Sequence, residues 1–174
     1  MTSKRPRPPL DEDSLRDAAL RYVSRFATSR GKLLAYLQRK IRECGWGGEH
    51  PADLPALVDR LAGLGYVDDS QYAVMKSAAL GRRGYGARRI DESLRAAGIA
   101  AADRADADAQ VDAERWIAAE RYARRKRIGP YASAAPDPKQ REKAIAAFLR
   151  AGHSYAVARR WVDAAPGQVP EAEE

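Results

Sequence analysis

Residues 64–73, LGYVDDSQYA, lie between two helical patterns and set the organisation of the chain. Gly65 is typical of a helix C terminus, because glycine adopts the left-handed conformation at little steric cost. Tyr66 is predicted to pack over that helix end. Asp68 or Asp69 is predicted to cap the next helix, which is worth about 1 kcal/mol. A metal or acid–base role for the two aspartates is disfavoured, since no His or Cys cluster lies nearby in sequence.

The pattern of an apolar helix stripe followed by a glycine stop occurs again at residues 95–99, RAAGI, and at residues 150–153, RAGH. The remaining segments follow the helical period of 3.6 residues, and runs of Val, Ile and Thr are missing. One long helix is predicted over residues 106–127. The spacing of the stops is irregular, which favours degenerate tandem copies of a small helical unit over a strict solenoid. The sequence therefore predicts an all-α fold with about eight to nine helices.

The composition limits the classes of partner and of compartment. The chain has 174 residues and a formal net charge of +7, which favours an anionic partner such as nucleic acid or an acidic protein. No apolar run approaches the roughly 20 residues needed to span a bilayer, and the N terminus lacks the apolar core of a secretory signal. Cys44 is the single cysteine, which excludes an internal disulfide. We therefore expect a cytoplasmic protein without membrane contact.

The helical patterns and the terminal compositions suggest five segments. Proline and basic residues dominate the N terminus, and the C-terminal residues are acidic. We predict a flexible basic tail at 1–10, a first helical repeat at 11–66, a second repeat with the long basic helix at 67–128, a third repeat at 137–165, and a flexible acidic tail at 166–174.

One basic cluster lies in residues 81–89, GRRGYGARR. Its three glycines do not form a phosphate-binding loop, since the Gly-Lys-Ser/Thr ending is missing and a helix rather than a strand precedes them. A turn that requires glycine geometry is the favoured interpretation. Four arginines in this block are a candidate contact surface, favoured over a solvated face, and Tyr85 is a candidate for stacking. These arginines are Arg82, Arg83, Arg88 and Arg89.

A second basic cluster lies in residues 121–131, RYARRKRIGPY. Bases stack on aromatic rings while cations hold phosphates, so Tyr122 and Tyr131 are candidates for stacking. The alternative is favourable placement of cations at a helix C terminus, which explains one or two of the five cations. Arg159 and Arg160 form a smaller cluster. The five cations proposed for binding are Arg121, Arg124, Arg125, Lys126 and Arg127.

Three blocks in order give the chain a family resemblance. LGYVDDSQYA, GRRGYGARRI and ESLRAAGI resemble the centre of the RecX family, the small regulators of the bacterial RecA recombinase. Upstream, ALRYVSRFATSRGKLLAYLQRK resembles the first block of that family, and KAIAAFLRAGHSYAVARRWV resembles its last. The resemblance covers about residues 18–162.

The resemblance implies an elongated, curved tandem array of three-helix repeats. It also implies binding in the groove of the RecA–DNA filament and inhibition of its ATPase, strand-exchange and coprotease activities. Such a regulator modulates DNA repair, recombination and the SOS response. The family brings no catalytic residues, so we expect no enzyme activity, no metal and no cofactor. We expect a monomer whose own contacts to DNA phosphates are weak and non-specific.

Two other classes of function remain open. Residues 73–94, AVMKSAALGRRGYGARRIDESL, are compatible with a helix-turn-helix-like DNA-binding module in which Arg88, Arg89 and Asp91 face base edges. Against it, the predicted turn is longer than the usual three to four residues. A scaffold for another acidic protein is also compatible with the charge.

Overall fold

The computed structural model describes residues 8–172, and within this range its secondary structure is helical, which confirms the all-α prediction. Predictions for residues 1–7 and 173–174, parts of the two predicted tails, lie outside the described residues. The nine α-helices in this range are α1 Glu12–Val23, α2 Arg30–Cys44, α3 Leu54–Gly63, α4 Asp69–Arg82, α5 Ala87–Ala96, α6 Ala105–Ala113, α7 Arg115–Lys126, α8 Pro138–Arg150 and α9 Tyr155–Asp163. Short 3₁₀ turns occupy Ala101–Asp103 and Gly129–Tyr131.

Many of the helices begin at a side chain that accepts a hydrogen bond from the first helical turn. Asp11 and Asp137 form capping boxes with the third residue of α1 and α8. Ser29, Asp53 and Ser154 accept a backbone amide hydrogen bond at the start of α2, α3 and α9. Each such cap satisfies an amide that the helix itself leaves unpaired, and contributes about 1 kcal/mol.

The glycine stop after α3 has the predicted geometry. Gly65 has φ +79°, its N–H donates to the Ala62 carbonyl at 2.9 Å, and the Tyr66 N–H donates to the Leu61 carbonyl at 3.0 Å. The prediction that Tyr66 packs over this stop is wrong, since Tyr66 is 52% exposed and Val67 is buried in its place. An exposed tyrosine keeps its hydroxyl in water, whereas a buried one needs a hydrogen-bond partner.

The two aspartates of the opening stretch have different partners. The Asp68 carboxylate accepts from the Gln71 N–H at 2.8 Å, so Asp68 is the cap of α4. The Asp69 carboxylate accepts from the Arg30 N–H at 2.8 Å, at the first residue of α2. The capping prediction is therefore confirmed for Asp68, and Asp69 ties the start of α2 to the start of α4.

The described residues form two compact units. The first unit contains the chain up to Tyr72 together with Ala97–Ile99, and the second contains Ala73–Ala96 and the chain from Ala100 onward. The division into three helical repeats stays a prediction.

The core of the first unit lies among α1, α2 and α3. Leu10 joins it at the N-terminal end, where its N–H donates to the Gly45 carbonyl at 3.0 Å and its carbonyl accepts from the Gly47 N–H at 2.8 Å. The buried Ser29 hydroxyl donates to the Ala97 carbonyl, which fixes residues 97–99 against the start of α2. The buried apolar side chains are Leu15, Ala19, Leu33, Leu37, Leu54, Val58, Leu61 and Val67.

The core of the second unit lies among α7, α8 and α9. The Trp161 ring is fully buried there, and its centroid lies 5.2 Å from that of Trp116. The Gly167 N–H donates to the Pro130 carbonyl at 2.9 Å, which joins the segment after α9 to this unit. The buried residues of the core are Ala119, Tyr122, Ala123, Ile145, Phe148, Ala151, Ala158, Trp161 and Val162.

The single long helix predicted over residues 106–127 is wrong, because the helix is interrupted at Glu114, which separates α6 from α7. The Glu114 backbone has φ −95° and ψ 5°, outside the helical range. The helical hydrogen bonds stop and restart at this residue, since the Glu114 N–H donates to the Gln110 carbonyl at 3.0 Å and the Ala118 N–H donates to the Glu114 carbonyl at 3.0 Å. Residues on both sides of Glu114 follow the helical period, so periodicity alone does not reveal an interruption at a single residue.

Candidate anion-binding groove

The turn between α4 and α5, residues 83–86, packs directly against the turn between α8 and α9. The Gly86 N–H donates to the Ala151 carbonyl at 2.9 Å, and the Arg88 N–H donates to the Gly152 carbonyl at 3.1 Å. A Cβ atom on Gly86 would lie 2.5 Å from the carbonyl carbon and oxygen of Gly152. Glycine is therefore required by this backbone contact, and no phosphate loop is needed to explain the pattern.

His153 fixes the same contact from inside the second unit. Its Nε2 atom lies 3.0 Å from the Gly84 carbonyl oxygen, and since a carbonyl only accepts, this nitrogen carries the proton. Burial lowers the pKa of His153 below its ordinary value of 6.5, although the bond to Gly84 opposes that shift. The His153 ring packs 5.3 Å from Phe148 and 5.7 Å from Tyr122, measured between centroids.

A groove of about 540 Å³ lies between α7 and α8, next to this contact. We call it the basic groove, because four of its ten lining residues are cationic and none is acidic. Alanines and an isoleucine form its apolar part. Its lining residues are Tyr85, Tyr122, Arg125, Lys126, Ile128, Lys143, Ala144, Ala147, Arg150 and Ala151.

Arg125 is held in place within the basic groove. Its guanidinium donates to the Arg83 backbone carbonyl. It also lies over two rings, 5.3 Å from the Tyr122 centroid and 5.8 Å from the Tyr85 centroid. The Arg83 guanidinium lies over the same Tyr85 ring at 5.3 Å. Cation–π contacts of this kind orient a guanidinium while leaving its remaining N–H groups available to an anion.

Tyr122 is a wall of the groove and a residue of the core. Its ring is buried, and its hydroxyl donates to the Ala147 carbonyl at 3.0 Å. Burial raises the pKa of the Tyr122 phenol, and the positive charges of Arg125 and Arg150 oppose that shift. Tyr122 thus has no free face on which a base can stack, and its contacts favour a role in the core over stacking.

The structure brings together Arg83, Arg125, Lys126 and Tyr85 from two sequence blocks that are forty residues apart. The neighbouring arginines of the first block have other contacts. Arg82 is exposed, the Arg89 guanidinium pairs with Glu92, and the Arg88 guanidinium donates to the Leu149 carbonyl.

Other predicted cations have partners outside the basic groove. Arg124 pairs with Glu120 at 2.9 Å and lies 4.9 Å from the Tyr131 ring centroid, and the Tyr131 hydroxyl donates to Glu120 at 2.7 Å. These contacts favour a side-chain network at the end of α7 over a stacking surface.

The remaining predicted cations are exposed or contact their own helical surroundings. Arg121 and Arg127 are exposed, and Arg127 has the left-handed φ of 54° that ends α7. Arg159 lies 3.6 Å from Asp163, and the Arg160 guanidinium lies 5.5 Å from the Trp116 ring centroid. None of these four lines the basic groove.

Sequence reasoning missed Lys143 and Arg150, the two cations that α8 contributes to the groove. They are seven residues apart, so they lie two turns apart on one face of the helix. That spacing is visible in the sequence. It does not show that this face opposes α7, because the pairing of the two helices is a tertiary contact.

The structure argues against helix-turn-helix readout by residues 73–94. The turn was predicted to be longer than three to four residues, and this prediction is wrong. Helix α4 ends at Arg82 and α5 begins at Ala87, so the turn has four residues. The contacts of the side chains supply a different objection. Asp91 pairs with Arg104 at 2.6 Å and with Arg95 at 3.0 Å, so its carboxylate is already used within the second unit.

Among residues 8–172, no group of three or more His, Cys, Asp or Glu side chains is arranged to hold a metal ion. In the same range, none of the helices combines the length and the apolar character that crossing a bilayer requires.

No protein-family model matches the chain. A curated relative, the regulatory protein RecX of Myxococcus xanthus (strain DK1622), is 34% identical over 171 residues, which cover 94% of this chain and 91% of the relative. The chain belongs to the RecX family. A second RecX relative, from Halorhodospira halophila (strain DSM 244 / SL1), is 32% identical over 119 residues, 67% of this chain and 68% of the relative. The family resemblance of the three sequence blocks is thus confirmed.

Solved RecX structures have the same fold. The crystal structure of RecX from Lactobacillus salivarius has a TM-score of 0.61 and 20% identity, and the match covers 84% of this chain and 90% of that one. A second crystal structure of a regulatory protein RecX has a TM-score of 0.64 and 20% identity, covering 83% of this chain and 68% of that one. At this identity the likeness concerns the fold.

Proposed function

We propose that this RecX family member binds the RecA–DNA filament and inhibits its ATPase, strand-exchange and coprotease activities, and so modulates DNA repair and recombination. The observation that carries the proposal is its 34% identity to a regulatory protein RecX over almost the whole chain. The family resemblance supplies the recombinase as partner. The basic groove and the exposed cations near it are the surface that we propose for the contact.

The proposed mechanism is occupancy. A helical protein lodged in the filament groove blocks the entry of a second duplex and of client proteins. Contacts to successive subunits act together through effective concentration, so the overall binding is tight even when each single contact is weak. The formal net charge of +7 speeds encounter with DNA phosphates and acidic protein surfaces. A bound regulator that fits one subunit spacing better than another also shifts the filament away from the motion that ATP turnover requires.

The direct test is ATP hydrolysis by DNA-bound RecA as the protein is added in increasing amounts. We expect inhibition at well below one molecule per RecA subunit, because one bridging molecule restrains several subunits. RecA without DNA serves as the control for effects on the enzyme alone. Undiminished ATP hydrolysis at equimolar protein would contradict the proposed function.

A double charge-reversal variant tests whether the basic groove is needed for inhibition of RecA. Lys126 and Lys143 are exposed and line the basic groove from its two sides. We expect Lys126→Glu/Lys143→Glu to weaken inhibition while its circular dichroism spectrum stays that of the wild type. Arg21→Glu/Lys139→Glu is the matched control, since both residues are exposed, neither lines the groove, and the change in net charge is the same. If the groove variant and the control variant inhibit RecA equally, the basic groove is not part of the contact surface.

A titration with duplex DNA across salt concentrations separates the regulator from the DNA-binding module. Weak duplex binding with a steep salt dependence, beside tight binding to a preformed filament, supports the regulator. Tight binding to a preferred duplex sequence would support the module instead.

A further inference from the structure

The four cations of the basic groove are concentrated without a neutralising carboxylate. Arg125, Lys126, Lys143 and Arg150 line one groove that contains no Asp or Glu. Within residues 8–172, none of the four lies within 4.0 Å of a carboxylate oxygen, although eleven such ion pairs occur elsewhere in that range. Like charges held together repel one another, and an anion bound among them relieves that repulsion.

The geometry of the groove suits an anion with several charged groups. Two cations lie at the C-terminal end of α7, and two lie two turns apart on α8, so positive charge faces the space from both sides. The volume of about 540 Å³ is within the roughly 300–1,000 Å³ of small-ligand pockets. A chain of linked anionic groups presents negative charge to both sides of such a space at once.

The rigidity of Arg125 adds a second, independent reason. Its guanidinium is already oriented by the Arg83 carbonyl and by the rings of Tyr85 and Tyr122. A side chain that is fixed before binding loses little conformational entropy when a ligand arrives. The planar guanidinium also matches two oxygens of one phosphate, and lysine ammonium groups neutralise the neighbouring ones.

We propose that the basic groove is a binding site for consecutive phosphate groups. Linked phosphates occur in a free oligophosphate, such as that of a nucleoside triphosphate, and along a nucleic acid strand. The two sources share the chemistry that the groove recognises. This inference deepens the proposed function, because it names the ligand chemistry of the same surface that is proposed for the filament contact, and it is tested without any recombinase.

The first experiment is calorimetric titration of the full chain with tripolyphosphate. The test variant is Lys143→Gln/Arg150→Gln, which removes the two charges of α8, and the control is Arg21→Gln/Lys139→Gln, with the same change in net charge away from the groove. We expect the test variant to bind roughly 10- to 100-fold more weakly and the control to bind like the wild type. Thermal melting of each variant without ligand shows that the fold is intact.

The second experiment distinguishes the two phosphate sources. A fluorescein-labelled oligothymidylate is titrated against the same proteins by fluorescence anisotropy, with tripolyphosphate as competitor. If the α8 variant loses both ligands and they compete, the groove takes the phosphates of a strand. If it loses tripolyphosphate alone, the groove takes a free oligophosphate.

Two results would overturn the proposal. One is wild-type protein that binds neither tripolyphosphate nor the oligonucleotide, and the other is equal binding by the α8 variant and the control. Neither result concerns RecA, so a failure of phosphate binding and a failure of filament inhibition remain separate findings.

Discussion

A methyl group added at Gly86 tests whether the α4–α5 turn and the α8–α9 turn pack backbone against backbone. The new Cβ would lie 2.5 Å from the carbonyl carbon and oxygen of Gly152 and 2.6 Å from the His153 nitrogen. These are backbone atoms, so no side-chain rotation relieves the contact. The Gly86→Ala variant therefore has to separate the two turns.

The expected cost follows from two effects. Overpacking in a tightly packed interior costs about 1–3 kcal/mol. Separating the turns also lengthens the hydrogen bonds from the Gly86 N–H to Ala151 and from the Arg88 N–H to Gly152, each worth about 0.5–1.5 kcal/mol when intact. Because the bonds weaken rather than disappear, we expect Gly86→Ala to lower the free energy of unfolding by about 2–4 kcal/mol.

Gly81 provides a matched control five residues away. It lies in α4, has no positive φ, and a Cβ there would meet nothing within 4 Å. Alanine has the higher helix propensity, so Gly81→Ala should raise the free energy of unfolding by about 0.5–1 kcal/mol. Urea denaturation followed by circular dichroism measures both. The reasoning is refuted if Gly86→Ala is as stable as the wild type, or if both substitutions shift stability in the same direction.

Further predictions concern a buried histidine and the ends of two helices. Because burial lowers the pKa of His153 below 6.5 in the folded protein, the unfolded chain binds a proton that the folded chain does not. The contribution of His153 is therefore complete above about pH 6.5 and is lost, by at most about 1.4 kcal/mol per pH unit, as the pH falls through the lowered pKa. His153→Gln keeps an N–H donor without a titrating ring, so urea denaturation between about pH 7.5 and pH 5 should show a shallower pH dependence; an unchanged slope would contradict this assignment. Asp68→Ala should cost about 1 kcal/mol through loss of the α4 cap, while Tyr66→Ala, at a side chain 52% exposed, should change stability by less than about 0.5 kcal/mol; equal losses in thermal melting would argue against these roles. Ser29→Ala should cost about 1–3 kcal/mol, because the fully buried hydroxyl bonds the Ala97 carbonyl and caps α2, and a melting temperature equal to that of the wild type would contradict it.

The helix ends were predictable because they depend on a few neighbouring residues. A left-handed glycine and an aspartate three residues before a free amide act locally, so the Gly65 stop and a cap at Asp68 or Asp69 were predicted from the sequence. Tyr66 was misplaced for a different reason. Which side chain is buried after a turn depends on the space that the surrounding core side chains leave, and in this protein the buried side chain is Val67.

The candidate site was only partly predictable, since its cations come from elements distant in the chain. The basic blocks around Arg83 and Arg125 were recognised by their charge density. Lys143 and Arg150 were not, because two cations seven residues apart on α8 look like an ordinary solvated face. Only the pairing of α7 with α8 turns that face into the second wall of a groove.

The sequence by itself determined the helical class, the positions of the glycine stops, the aspartate cap and the RecX family, because each depends on local dihedral preferences or on the order of residues along the chain. The tertiary structure alone decided the interruption at Glu114, the burial that lowers the pKa of His153 and the convergence of four cations on one groove. These features arise when segments far apart in sequence exclude water from one another, and no local pattern records which segments will meet.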